Sequence, residues 1–582
     1  MKFSEVAQFF EEISKHTSRI EITKLLAQLF EQTSPHEAQI ISYLTLGTLR
    51  AMYRGTQFNL AEKSVTKIVA DLLDEEPAAV TRKARSLGDL GLVVAQGKWH
   101  HKENLSVLQV YEALGKLEYI SGTGAQEEKA HALHHLLKSV DHLSALFIIR
   151  IVLGKLRLGF SDMTLLDSFS WMLVGNKSLH ERIENAYNVC ADIGIIAYTL
   201  KEKGIDGLDE VHIIIGVPIR PAAAERMPTA RDIMDKIGPC VAQPKLDGFR
   251  LQVHIDNRHH EHKIWFFSRN LLDMSAMFPD LAKALKKVKV ETLIAEGEAI
   301  GYNEETESFV PFQETVTRKR KYGIEEAAES VPLKLFFFDI LYLNGEPLLN
   351  KAHHTRRDIL IHVFKNVHDP ALSIDAEKQI NTVKELEDYF LYNIESGLEG
   401  LVMKKPNAHY QPGKRNFNWI KLKRQAEGHL EDTIDVVILG YYLGKGKRAL
   451  FGIGAFLVGI YDKKKDVFET IAKIGTGLKD QDWKDLKKKC DQEQSKHQPH
   501  NIICAKELFP DVWVNPAIVC SIRADEITLS PLHSAGKTAE HPGFALRFPR
   551  FIAYRPDKSE RDTTTLDEIK KLYHDQTYKK IA

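Results

Sequence analysis

The feature that most restricts what this chain can fold into is a change of periodicity near residue 210. Before it, apolar residues recur at helix spacing, as in Ile20, Ile22, Leu25, Leu26, Leu29 and Phe30, or Leu133, Leu136, Leu137, Val140 and Leu143. Val6, Phe9, Phe10 and Ile13 share one face of an opening amphipathic helix. Strand signals are scarce there, so the pattern predicts an all-α domain over 1–210. Val211 to Pro221 carries two prolines and reads as an extended connector. From about 240 to 425 strand patterns dominate, with helices between them, predicting an α+β domain over 211–427. Residues 428–582 hold short strands and many glycines, as in Val436–Tyr441 and Phe456–Tyr461, and predict a small β-barrel. An amphipathic helix from Thr565 to Ile581 ends the chain. The fold class is multidomain α+β, and 582 residues are too many for one core.

Several classes are disfavoured early. No apolar run reaches the ~18 residues of a membrane helix, and the N-terminus reads as an amphipathic helix rather than a signal peptide. Cys190, Cys240, Cys490, Cys504 and Cys520 never form C-x-x-C pairs, which argues against a zinc ribbon or a disulfide framework and fits a reducing cytoplasm. Formal net charge is zero, so a nucleic-acid surface has to be a local patch.

The chemistry concentrates in the middle region. Gln243-Pro244-Lys245-Leu246-Asp247-Gly248-Phe249-Arg250 lies between Cys240-Val241-Ala242 and the alternating Leu251, Val253 and Ile255, giving strand, break, strand. A lysine beside such a turn serves as a nucleophile if its surroundings deprotonate it; alone, the tetrapeptide K-x-D-G fits a solvated surface lysine better. Further along come Ser268-Arg269-Asn270, Glu298 in an apolar strand, Phe338 in a run apolar enough for a fully buried strand, and Glu399 before Gly400-Leu401-Val402-Met403-Lys404. Trp419-Ile420-Lys421-Leu422-Lys423 puts Lys421 and Lys423 on one strand face. One nucleophile, two carboxylates, an aromatic, and cations at Arg250, Arg269, Arg415, Lys421 and Lys423 suit attack on a nucleotide phosphate. Such transfer demands charge neutralisation and in-line positioning.

Taken in order, these stretches resemble the motifs of the covalent nucleotidyltransferases. Over nearly the whole chain the resemblance is to ATP-dependent DNA ligases of the archaeal and eukaryotic replicative type. Arg547-Phe548-Pro549-Arg550 with Arg555-Pro556-Asp557-Lys558 is similar to the closing motif of that family's OB-fold. Lys155-Leu156-Arg157-Leu158-Gly159, Pro218-Ile219-Arg220-Pro221, Lys473-Ile474-Gly475-Thr476-Gly477 and Thr528-Leu529-Ser530-Pro531 add to it. The resemblance implies a helical DNA-binding domain, an adenylation domain and an OB-fold around a nicked duplex, with ATP and Mg²⁺ as cofactors. It implies that Lys245 carries AMP, that Arg250 and Glu298 hold the ribose, and that Phe338 stacks on adenine with Val402 on the other face. Gln243 would touch the base, and Arg269, Arg415, Lys421 and Lys423 would contact phosphate. Glu399, with Glu298, would place Mg²⁺. Arg550, Asp557 and Lys558 would orient pyrophosphate. Thr123, in Gly122-Thr123-Gly124 before the helix opened by Gln126, and Lys155 and Arg157 would contact DNA. A monomer working in the cytoplasm, nucleoid-associated in a prokaryote, is implied; a sliding clamp is an optional partner, although no clamp-binding peptide is legible.

Some positions depart from the family pattern. Position 243 is usually glutamate and here is Gln243; Ala222-Ala223 replaces Met-Leu; Ser521 stands where glutamate is frequent; Glu127 and Glu128 follow the Gly-Thr-Gly turn where cations are expected. RNA ligation or mRNA capping uses the same lysine chemistry, but a helical region of ~200 residues suits a duplex-encircling arm better. An NAD-dependent ligase would need a cysteine cluster for zinc, and a non-catalytic scaffold would not need the lysine and carboxylates together.

Overall fold

The computed structural model describes residues 1–100, 104–258, 262–303, 308–310, 315–318, 320, 323–396, 398–423, 433–444, 446–524, 526–538 and 540–578. The chain divides into two compact units, one of Met1–Pro77 with Val94–Arg424, the other of Ala78–Val93 with Gln425–Ala582. The expected boundary at 427/428 lies outside the described residues.

The first unit begins with helices, and caps explain where they start. Ser34 opens Pro35–Thr45 through a capping box with Glu37, Ser106 opens Val107–Tyr119 likewise, and Asp141 caps His142–Val152. Asp192 caps Ile193–Lys203 and also accepts from Tyr43 Oη (2.6 Å) and Tyr53 Oη (3.0 Å), so one carboxylate ties three segments. Among the described residues no helix is long and apolar enough to cross a membrane.

The strands that follow are β1 (Ala223–Arg226), β2 (Cys240–Lys245), β3 (Phe249–Asp256), β4 (Lys263–Ser268), β5 (Thr292–Asn303) and β6 (Ser308–Phe309). Then come β7 (Leu333–Leu343), β8 (Glu346–Pro347), β9 (Leu372–Ile374), β10 (Lys378–Ile380), β11 (Gly400–Lys404) and β12 (Arg415–Lys423). They make two sheets, ordered β1-β12-β11-β2-β10 and β4-β3-β5-β7-β8, with β6 on β5 and β9 on β7. Each sheet buries its outer face under helices. Ala242, Leu401, Met403, Ile420 and Leu422 meet Ile233 and Leu386; Leu251, Val253, Ala295, Leu335 and Phe337 meet Phe278, Leu281 and Leu360. The inner faces share a smaller cluster of Ile219, Ile294, Leu341, Tyr410 and Trp419. Side chains alternate along strands, so this frame aims the polar residues of β2, β11 and β12 toward those of β3, β5 and β7. The expectation of a fully buried strand around Phe338 is corrected here. Leu335, Phe337 and Ile340 are buried, but Lys334, Phe336 and Phe338 are only half-buried, because β7 gives its second face to the cleft.

The connector before β1 is not extended throughout as expected: Val217 N–H closes a turn on Ile214 O (3.0 Å) with Gly216 at φ 88, and β3 holds it. Gly216 N–H donates to His254 Nδ1 (3.1 Å), and Ile219 N–H donates to Gln252 Oε1 (2.7 Å) while Gln252 Nε2 donates back to Ile219 O (3.0 Å). His254 Nε2 lies 2.9 Å from Gln252 Oε1, which fixes the neutral tautomer with its proton on Nε2. Burial pushes the His254 imidazole down to about 3. Its contribution to stability is therefore present above the ordinary histidine value and is lost as pH falls from about 6.5 toward 3. Between those limits each pH unit removes about 1.4 kcal/mol. The melting temperature of the wild-type protein should thus fall more steeply with acid than that of His254→Gln in calorimetry; parallel curves would contradict the assignment.

The second unit contains β13 (Ile434–Tyr442), β14 (Ala455–Asp462), β15 (Val467–Ile474), β16 (Gln494–Ser495) and β17 (Ile502–Ile503). It continues with β18 (Val512–Val514), β19 (Val519–Arg523), β20 (Glu526–Ser530), β21 (Gly543–Arg547) and β22 (Arg550–Tyr554). β13 pairs with β14 along one edge, and along the other with β19 at its start and β18 at its end, so the sheet curls into a half-barrel. Val436, Ile438, Val458, Ile471, Phe551 and Ile569 fill it, the last from the helix Leu566–Tyr578.

Candidate active site

Register explains why the key residues of the first sheet converge. Gln243 pairs with Val402, which pairs with Lys421; one row on, Lys245 pairs with Gly400, which pairs with Lys423; one row back, Val241 pairs with Lys404, which pairs with Trp419. Gln243, Val402 and Lys421 thus stand in the row next to Lys245, Gly400 and Lys423 on one pleated face. Glu399, just ahead of β11, forms ion pairs with both Lys245 and Lys423, and its N–H donates to Lys245 O (3.2 Å). Burial opposes ionisation of Glu399, but the Lys245 and Lys423 ammoniums hold its carboxyl below the usual value. Two glycines permit the approach. A Cβ on Gly248 would lie 2.3 Å from Ala299 O, and Gly400 has φ 145 with Leu422 O 2.1 Å from where its Cβ would be.

The second sheet supplies the other wall. Phe338 falls in the register slip between β5 and β7, where Glu296 pairs with Asp339 and Gly297 with Phe337, so the bulge turns its ring out of the ladder. The ring meets Trp419 edge-on at 6.1 Å. Arg250 stands opposite Glu298 in register, yet its guanidinium grips Glu296 with two bonds (2.9 and 3.0 Å) and Ala222 O (2.7 Å). Glu296 also accepts from Tyr410 Oη at 2.8 Å. Glu298 accepts from Gly248 N–H (3.1 Å). Burial raises the Glu298 carboxyl to about 7 against the pull of Lys245 and Arg250.

The cations form one field. Burial, then the charges of Lys423, Arg415, Arg269 and Lys245, push the Lys421 ammonium below its ordinary value, as expected where several like charges await an anion. Arg269 and Arg250 line one small cavity with Ile219, Pro221, Ser268 and Glu296. Among the described residues no cluster of three or more His, Cys, Asp or Glu is placed to hold a metal alone. Glu298 and Glu399 both border Lys245, and Mg²⁺ takes one or two carboxylates plus phosphate oxygens and water, so this donor set fits that ion.

Behind the aromatic wall lies a buried polar network. Asp339 pairs with Arg356 (2.7 and 3.0 Å), which holds its carboxyl well below the usual range despite burial. Lys404 donates to Phe338 O (3.1 Å) and lies over Trp419 at 4.2 Å; burial drives its ammonium down to about 8. Gln243 Nε2 donates to Glu377 Oε2 (2.8 Å), and His353 Nε2 lies 2.8 Å from the same oxygen.

The remaining candidates lie elsewhere. Lys155 and Arg157 project from an extended stretch anchored by buried Leu156 and Leu158; Lys155 pairs with Glu62 at 3.3 Å, and Arg157 has φ 62, a backbone rare for arginine. Thr123 is exposed in a turn before the helix Ala125–Ser139, whose first turn carries Glu127 and Glu128. In the second unit Arg550 begins β22 and lines a cavity with Lys473, Gly475, Thr476, Phe548 and Pro549. Asp557 is bound by Arg555 (2.9 and 2.7 Å), while Arg555 and Lys558 both reach Asp435 (3.0 and 2.7 Å). Ser521 donates to Asp435, its register partner on the neighbouring strand. Lys404 and Trp419 lie inside the stretches singled out in the sequence without a role of their own, and Glu296 lies two residues before Glu298; Tyr410, Glu377, His353 and Arg356 carry no local signal at all.

Comparison with known proteins gives concordant results. Family profiles match for "DNA ligase N terminus" over residues 2–170, "ATP dependent DNA ligase domain" over 221–423 and "ATP dependent DNA ligase C terminal region" over 451–558. A "Probable DNA ligase" of Dictyoglomus turgidum is 42% identical over 585 residues, spanning 100% of this chain and 99% of the relative. "DNA ligase 1" of Methanosarcina acetivorans is 35% identical over 583 residues, spanning 98% and 99%. The solved structure named Pmar-Lig_PreS3 shares the fold, with a TM-score of 0.55 at 17% identity over 94% of this chain and 99% of its own.

Proposed function

Because this chain belongs to the ATP-dependent DNA ligase family, whose members seal nicks through an adenylate intermediate with ATP and Mg²⁺, we propose that Lys245 is the residue that carries AMP. The single observation behind this is the row Lys245–Gly400–Lys423 with Glu399 between its cations. Lys245 Nζ attacks the α-phosphorus, a P–N bond forms, and the bond to pyrophosphate breaks. Lys421, Lys423, Arg269 and Arg415 neutralise the phosphates. Phe338 and Val402 sandwich adenine, with Gln243 at its edge. Arg250, fastened by Glu296, and Glu298 form the ribose side. Glu298 and Glu399 would hold Mg²⁺, which supplies charge neutralisation at the phosphates when bound. Arg550, Asp557 and Lys558 act on pyrophosphate in the first step. AMP then passes to the 5′-phosphate of the nick, and the 3′-hydroxyl displaces it.

One chain supplies every group this scheme uses, which supports a monomer at the nick. All five cysteines are free thiols, which supports a reducing, cytoplasmic setting. The reading is tested by sealing of a nicked duplex together with transfer of label from the α-phosphate of ATP to protein. Thr123, Lys155 and Arg157 are read as backbone contacts to DNA. Lys155→Ala/Arg157→Ala should weaken nicked-duplex binding and flatten its salt dependence by about two units of log–log slope, while adduct formation from ATP persists. An unchanged slope would remove them from the interface.

A further inference from the structure

Gln243 is 2% exposed, and its amide is pinned. Its Nε2 donates to Glu377 Oε2 at 2.8 Å and reaches the Phe338 carbonyl at 3.4 Å. A carboxylate and a carbonyl only accept, so these partners determine which end of the amide is nitrogen. The end left for a ligand is Oε1, an acceptor. Glu377 is held in turn, because His353, itself 1% exposed, donates from Nε2 to the same carboxylate oxygen at 2.8 Å. Register delivers the pair: β10 runs antiparallel to β2 with Lys378 opposite Ala242, which brings Glu377 beside Gln243. Burial opposes the charge on Glu377, yet the bond from His353 keeps its carboxyl below the ordinary value.

We propose that Glu377, held by His353, is a positioning residue that locks the Gln243 amide with its oxygen toward the base and so makes the site select a 6-amino purine over a 6-oxo purine. The inference rests on the adenine pocket proposed above. An exocyclic amine donates to Oε1; an oxo group in its place would set two acceptors against each other. A free amide could turn over and serve either base, whereas a pinned one cannot. The pairing also explains glutamine at a position where the family usually has glutamate. A glutamate at 243 would bring a second carboxylate to the place where Nε2 now lies 2.8 Å from Glu377, and like charges so close resist joint ionisation. Gln243 and Glu377 act as a donor–acceptor couple whose members can be exchanged.

The test uses the full-length protein and initial rates of AMP– or IMP–lysine formation from ATP and from inosine triphosphate, which carries oxygen in place of the 6-amino group. Glu377→Gln removes the obligate acceptor, and the ATP-to-inosine-triphosphate preference should fall by about 10- to 100-fold. Gln243→Glu should slow adduct formation from ATP. The exchanged double variant Gln243→Glu/Glu377→Gln should recover both rate and preference, because the amide introduced at position 377 can then donate to the carboxylate introduced at position 243. Equal slowing with both nucleotides in Glu377→Gln would overturn the proposal, as would losses in the double variant that merely add. Should Glu377→Gln prove unfolded in calorimetry, recovery in the exchanged pair upholds the proposal and its failure to recover overturns it. The pocket reading fails separately, if Phe338→Ala leaves the KM for ATP unchanged.

Discussion

Protein carrying Lys245→Arg will take up no label from ATP labelled at the α-phosphate, and Lys245→Ala will behave alike. Arginine keeps the positive charge and could still answer Glu399, so loss of activity in that variant isolates nucleophilicity from charge. Attack on phosphorus needs a free amine, and the guanidinium does not deprotonate in proteins. The expected loss is at least about 10⁴-fold, the scale found when a covalent catalytic group is removed outright. Binding of nicked duplex should survive in both variants, since the helical contacts are remote in sequence. Adduct at the normal level in either variant would place the nucleophile elsewhere. Adduct that forms only in Lys245→Arg would show that charge, and not attack, was the requirement.

The second large effect is expected at the tail, as a split between half-reactions. Asp557→Ala and Lys558→Ala should cut AMP–lysine formation by about 100-fold or more, the range for groups that stabilise developing phosphate charge. Sealing of a nick that already carries AMP should fall by less than about 10-fold, because pyrophosphate takes no part in that step. Arg555 holds Asp557 at about 2, so it stays ionised at any working pH. Point substitutions are the right instrument. Truncation after Ser530 would delete β21 and β22 and with them Leu546, Phe551 and Ile569 from the core of the half-barrel. If these cations were part of the DNA surface, both steps with DNA would weaken together and adduct formation would be spared. Measuring the two half-reactions on one variant separates the alternatives.

Much of this site was legible in the sequence because phosphate chemistry writes itself locally. Lys245 beside a glycine turn, and alternating Lys421 and Lys423, are short strings whose spacing reports a strand face. The run around Phe338 misled for a physical reason. An aromatic that faces a cleft reads the same in sequence as one already in the core, and only the bulge opposite Gly297 tells them apart. Arg250 stands opposite Glu298 in register, as a reading of the two strands would pair them, but its guanidinium bonds Glu296, because it reaches along β5 to a deeper carboxylate. Glu377, His353 and Tyr410 meet their partners across 134, 24 and 114 residues, so no window of sequence contains the couple. Their contribution is tertiary.

Gly400 has a dimensional consequence. Neighbouring strands lie about 4.8 Å apart, so Lys245 and Lys423, which flank the glycine on either side, leave backbones separated by about twice that span. Both ammoniums reach across that span to the one Glu399 carboxylate. The missing side chain at 400 is what lets the three strands close at this row: a Cβ there would lie 2.1 Å from Leu422 O and 3.0 Å from Lys423 Cα, so any other residue would push β12, and Lys423 with it, away from Lys245.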